Sequence, residues 1–121
     1  MVHLIFCLRR LPHLSREEFQ RYWRETHAPL VRAHAAALGI RRYVQAHTIN
    51  PALSQAIGAA RGAPDPFDGV AELWFDLDEL MARSATPAVI AAGRILLEDE
   101  RRFIDLPNSP IFFAEDNVVI G

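Results

Sequence analysis

The stretch SREEFQRYWRETHAPLVRAHAAAL, residues 15–38, decides how the rest of the chain is read. Ser15 and Glu18 form a capping box, in which each side chain satisfies the other's free backbone N–H and starts a helix. Behind that cap, Phe19, Trp23, His27, Leu30 and His34 follow at helical steps and share one face. Pro29 falls inside the pattern. Its ring crowds the carbonyl of Glu25 and it has no N–H to give, so a kink or restart is expected there. His27 is thus expected as an inward-facing imidazole at a break in a helix.

Outward from this helix, Val2 to Leu8 alternates as a strand and Leu11-Pro12 turns the chain into the cap. Gly39 is a natural helix stop, and Arg42 to Ile49 is the second strand, with Tyr43, Gln45 and His47 on one face. Asn50 to Asp68 is rich in turn residues and has room for a short helix over Leu53 to Ala60; it reads either as a binding loop or lid, or as a surface excursion. Val70 to Leu77 is the third strand, and Asp76 or Asp78 can cap a helical turn through Met81. Thr86-Pro87 opens a second long helix whose inner stripe is expected to be Val89, Ile90, Gly93, Leu96, Leu97, Glu100 and Phe103. Ile111 to Ala114 is the fourth strand, with Val118 to Ile120 as a further extended piece.

The order β-α-β-β-α-β is a split βαβ arrangement, an α+β fold in which two helices cover one face of a four-stranded antiparallel sheet. Strands one and three carry apolar residues on both faces, and no third long helix is present to cover the second face. A second copy packing sheet against sheet solves this, so a homodimer is expected.

At 121 residues the chain is long enough for one core and is read as a single domain, 1–121. A net charge of −2 gives no basic footprint for nucleic acid. All 13 basic residues are arginines, and the doublets such as Arg101-Arg102 read as solvated element ends. The lone Cys7 excludes an intrachain disulfide, sits in a strand pattern as an inert thiol, and fits a reducing compartment. No apolar run reaches the ~18 residues of a membrane span and the N-terminus has no signal-peptide pattern, so the expectation is a cytoplasmic protein.

Among the polar residues, His27 is the leading candidate for a general acid or base, because imidazole gains and loses a proton near neutral pH. The plain alternative is a core histidine bonded to a carbonyl at the kink. His47 lies with Tyr43 and Gln45 on a polar-aromatic strip that can orient a flat substrate or else line a dimer seam. Glu100 falls on the apolar stripe of the second helix, where a carboxylate needs a partner such as His27 or an arginine. Trp23 and Trp74 are either stacking surfaces for a substrate or core, and His3 could reach the same pocket. His27 and His34 are seven residues apart, about 10.5 Å along an unbroken helix, too far to share one zinc ion; no metal site, nucleotide fingerprint or Ser-His-Asp set is visible.

The segments FQRYWRETHAPLV (Phe19–Val31), RYVQAH (Arg42–His47), GVAELWFDLDEL (Gly69–Leu80) and EDERRFIDL (Glu98–Leu106) together resemble the EthD-like family of the dimeric α/β-barrel superfamily. The resemblance implies a ferredoxin-like fold, a sheet-to-sheet dimer and a pocket between sheet and helices. It places functional positions at His27, His47 and the Asp99-Glu100 pair. It also implies an enzyme without metal or organic cofactor. The expectation is an oxidoreductase or lyase for a hydrophobic, hydroxylated or ring-containing metabolite, with Tyr43, Trp23, Trp74 and Glu100 as substrate contacts. A metabolite-binding or accessory protein of a catabolic or polyketide-type pathway is the other reading.

Overall fold

In the computed structural model, which describes all residues 1–121, both halves of the Ser15 cap form. Ser15 Oγ accepts from Glu18 N at 3.0 Å, and Glu18 Oε1 accepts from Ser15 N at 3.0 Å. Helix α1 (Arg16–Tyr22) runs from this cap into a single π turn, Trp23–His27, and continues as α2 (Ala28–Leu38). The π turn is how the chain accommodates Pro29: the Ala28 N–H reaches back five residues to the Trp23 carbonyl, widening the helix just before the proline. The extra residue shifts the phase downstream. Phe19, Trp23 and His27 stay inward, but Val31, rather than the expected Leu30, is the next fully buried position. Gly39 closes α2 in the left-handed conformation, φ +75°.

The sheet has the order β2-β3-β1-β4 and is antiparallel throughout. Its strands are β1 (Val2–Leu8), β2 (Arg42–His47), β3 (Gly69–Phe75) and β4 (Ile111–Ala114). Register places Tyr43, Leu73, Leu4 and Phe113 in one row across all four strands, facing the helices. The neighbouring row, Val44, Glu72, Ile5 and Phe112, faces away from them. Helix α3 (Ala52–Ala60) fills the long connection and buries none of its residues, and Asp76 caps α4 (Leu77–Arg83) through Glu79 N at 2.9 Å. Thr86 caps α5 (Pro87–Glu100), which packs on α2 and the π turn. The result is a ferredoxin-like α+β fold.

Phe6, Leu8, Phe19, Trp23, Ala71, Phe103 and Ile104 form the buried core. Gly69 is required within it: a Cβ there would collide with the Trp23 ring and with the Ala46 carbonyl. Three expectations change. On α5, Val89, Gly93, Leu96 and Glu100 face inward as expected and Phe103 is buried, but Ile90 is 49% and Leu97 40% exposed, with Ala92 and Asp99 buried in their place where Asp99 docks against the π turn. Strand β2 ends at His47, with Ile49 75% exposed. Val118 to Ile120 pair with no strand and are largely exposed. No single helix is long and apolar enough to cross a membrane.

Candidate active site

Asp99 is a buried carboxylate, 3% exposed, and every donor that reaches it comes from the helical layer. Its Oδ2 lies 2.7 Å from His27 Nδ1. Its Oδ1 accepts from Tyr22 Oη at 2.6 Å and from Arg102 Nη1 at 3.0 Å. Burial alone would raise this carboxyl, but the three hydrogen bonds outweigh it and hold Asp99 below its ordinary range, so it is ionised. An ionised Asp99 can only accept, which puts the His27 proton on Nδ1 and leaves Nε2 with a free lone pair. Burial pushes His27 below its usual 6.5, more strongly than Asp99 pulls it up, so the imidazole is neutral at pH 7. The ring packs 5.0 Å from Phe103, which fixes its tilt. A neutral imidazole oriented by a carboxylate is the arrangement of a general base.

His27 borders a partly open cavity of about 370 Å³ between the sheet, α2 and α5. That volume lies within the range of small-molecule sites. Its wall is apolar, built from residues such as Leu4, Phe6, Leu73, Phe75, Val89, Leu96 and Phe113. The polar side chains on it are His27, Glu100, Tyr43 and Trp23. Trp23 Nε1 donates to the Tyr43 hydroxyl at 3.1 Å and Gln45 Nε2 donates to the same oxygen at 3.0 Å. With both lone pairs engaged, the Tyr43 hydroxyl keeps its own proton to donate into the cavity. Burial keeps that phenol protonated. Gln45 Nε2 also reaches the Trp23 carbonyl at 3.0 Å, tying the π turn to β2. Glu100 makes no ion pair or side-chain hydrogen bond; burial, and secondarily the charge of Asp99, raise its carboxyl to about 7.

The structure thus brings His27, Tyr43, Trp23 and Glu100 to one cavity. His47 and Trp74 are not part of it. His47 is cut off by the Trp23 ring, on which it stacks at 4.5 Å, and its Nε2 is bonded to Gln45 Oε1 at 2.8 Å. Trp74 projects from the opposite face of the sheet, between the His3 ring at 4.8 Å and the Arg42 guanidinium at 4.9 Å, because β3 alternates. His3 lies on that same far face and does not reach the cavity. The kink carbonyl expected to hold His27 is replaced by Asp99, and neither His27 nor an arginine pairs with Glu100. Glu98-Asp99-Glu100 carried a usable signal: three carboxylates in the last turn of a helix oppose its dipole and call for partners elsewhere. No group of three or more His, Cys, Asp or Glu side chains is arranged to hold a metal ion.

The chain belongs to the EthD family: the EthD domain profile matches residues 11–107. Among solved structures, it is similar to an ethyl tert-butyl ether D (EthD) family protein of Bacillus halodurans C-125. The two are 21% identical with a TM-score of 0.61, over 97% of this chain and 99% of that one. A dimeric protein of ferredoxin-like fold from Bacteroides fragilis NCTC 9343 matches at 14% identity and a TM-score of 0.56, over 95% of each chain. SnoaB, a cofactor-independent oxygenase from Streptomyces nogalater, matches at 16% identity and a TM-score of 0.50, over 98% of this chain and 95% of that one. No curated protein matches.

Proposed function

We propose that this protein is a small-molecule enzyme. In this reading it is a cofactor-independent oxidoreductase or lyase acting on a hydrophobic, hydroxylated or ring-containing metabolite. The observation that supports it is the Asp99–His27 pair, with His27 on the wall of a largely apolar cavity that also carries Tyr43 and Glu100. His27 takes a proton from a phenolic O–H or an activated C–H, and Asp99 stabilises the imidazolium that forms. Tyr43 donates to a substrate oxygen, Trp23 and Glu100 complete the polar side of the pocket, and the apolar wall excludes water. SnoaB, described as a cofactor-independent oxygenase, is consistent with this class of chemistry on this fold.

The active unit in this proposal is a homodimer. The sheet face away from the helices carries Ile5, Val44, Val70 and Phe112, and Phe112 is 48% exposed in the single chain. A second copy would cover that face, as in the dimeric relative of similar fold. Sedimentation of the purified protein should give a dimer; a monomer at micromolar concentration removes this part of the proposal.

Mass spectrometry of the small molecule that co-purifies with the native protein, followed by turnover with and without oxygen, tests the function. His27→Ala is expected to lower turnover by about 10²–10⁴-fold while binding survives in part. A loss of affinity alone, in a protein that never turns the ligand over, would identify a carrier instead.

A further inference from the structure

We propose that Glu100 is the proton donor of this site, protonating a carbonyl oxygen of a ring ketone while His27 removes a proton from the adjacent carbon. The inference rests on the enzymatic reading above for its base and its cavity, and adds to it a prototropic step, in which nothing is oxidised or reduced.

Glu100 is one of two cavity side chains, with His27, that can exchange a proton near neutral pH, and no hydrogen bond or ion pair inside the protein uses its carboxyl. A half-buried carboxyl on a mostly apolar wall, without a partner in the protein, is favoured in its protonated form or by a ligand that bonds to it. The groups that face it are few. Asp99 precedes it on α5, His27 comes from the π turn and Tyr43 from β2. The cavity residues of β1, β3 and β4 are apolar. Burial, and secondarily the charge of Asp99, raise the Glu100 carboxyl to about 7, while burial outweighs the Asp99 hydrogen bond and holds His27 below its usual 6.5. Two proton carriers on one cavity, the imidazole shifted towards its base form and the carboxyl towards its acid form, are the mark of an acid and a base acting together.

The step balances within the site. His27 Nε2 takes the proton from the carbon next to the carbonyl, and the C–H electron pair forms the C=C bond of the enol. The carbonyl π pair moves to oxygen, which takes the Glu100 proton, with the Tyr43 hydroxyl donating to the same oxygen. Reversal, at the same or a conjugated carbon, returns one proton from His27 to carbon and one from the enol O–H to Glu100.

The probe is 2-tetralone, an apolar ring ketone, labelled with deuterium at the carbon between ring and carbonyl. Label wash-out into water is followed by NMR across the pH range. Wild type is expected to exceed the buffer rate by at least about 10²-fold. The rate should rise with pH as His27 loses its proton, below 6.5, and fall as Glu100 ionises around 7. Glu100→Gln keeps the shape but not the transferable proton. It should slow wash-out at least ~10-fold, remove the falling limb, and bind the enol mimic 2-naphthol within about threefold of wild type. If Glu100→Gln matches wild type while His27→Ala falls to the buffer rate, the donor role is overturned and the enzymatic reading stands. Loss of 2-naphthol affinity in proportion to rate also overturns it, leaving Glu100 a binding residue. Wild type no faster than buffer overturns the donor role, and the enzymatic reading then stands or falls on turnover of the co-purified molecule. Should the glutamine variant not fold, a wild-type rate that stays flat through pH 7 overturns the donor role by itself.

Discussion

Asp68 and Asp99 are both buried carboxylates clasped by donors from distant parts of the chain, yet their surroundings make them different devices. Asp68 accepts from the Arg10 backbone N–H at 2.8 Å, from Arg16 Nε at 3.0 Å and from the Arg10 guanidinium. Its own backbone ties α1 to the sheet, with its carbonyl receiving Gln20 Nε2 at 3.0 Å and its N–H donating to Leu8 at 2.8 Å. It borders a groove of about 370 Å³ lined by arginines, aspartates, prolines and Asn50. Arginine does not release its proton, so this cluster can hold the fold together but cannot exchange protons with a ligand. Asp99 has a comparable number of donors, but one is an imidazole whose second nitrogen is not used by Asp99 and whose residue lines a largely apolar cavity of about the same volume. Cavity size and donor count are alike in the two places. The chemistry lies in whether a partner titrates and whether the space beyond it is apolar.

Substitution at each carboxylate tests that distinction. Asp68→Ala leaves two arginines and a backbone N–H without their acceptor and is expected to cost about 3–5 kcal/mol of stability, with any ligand affinity per folded molecule unchanged. Denaturant titration reads this directly. Hydrogen bonds from the arginines outweigh burial and hold Asp68 below 3.8, so its contribution is present above that pH and is lost as pH falls through the lowered value. The wild-type advantage over the alanine variant should therefore shrink in acid; an advantage independent of pH would mean that packing rather than charge holds this corner.

Asp99→Asn is the counterpart, with a smaller expected effect and a different readout. Stability should fall by less than at Asp68, because Tyr22 and Arg102 retain an oxygen acceptor and Arg102 is largely solvated. Turnover should fall about 10²-fold, since the imidazolium loses its counter-charge and the tautomer is no longer enforced. Equal losses of activity at the two positions would erase the contrast drawn here.

Much of the fold was legible because it is written in local patterns. The Ser15–Glu18 box, the strands at Val2–Leu8 and Ile111–Ala114, and the disturbance at Pro29 each depend on residues a few positions apart. The helix break was readable but its form was not. A π turn inserts one residue of phase, and that insertion makes Val31 rather than Leu30 the buried position. Trp74 shows the same limit at the site. Its alternation on β3 was visible, yet only the pairing of all four strands shows that this face looks away from the cavity.

By itself, then, the chain's sequence determined the order of strands and helices, the position of the helix break and the inward aim of His27, because periodicity and capping act over a turn or two. The tertiary structure decided which carboxylate meets that imidazole. His27 and Asp99 are 72 residues apart, and the rotation of α5 that brings Asp99 inward, and sets Glu100 at the cavity wall without a partner, is set by packing against α2 and the π turn. One step of helix is about 100° of azimuth. That single step separates the residue that orients the base from the one proposed to be the acid.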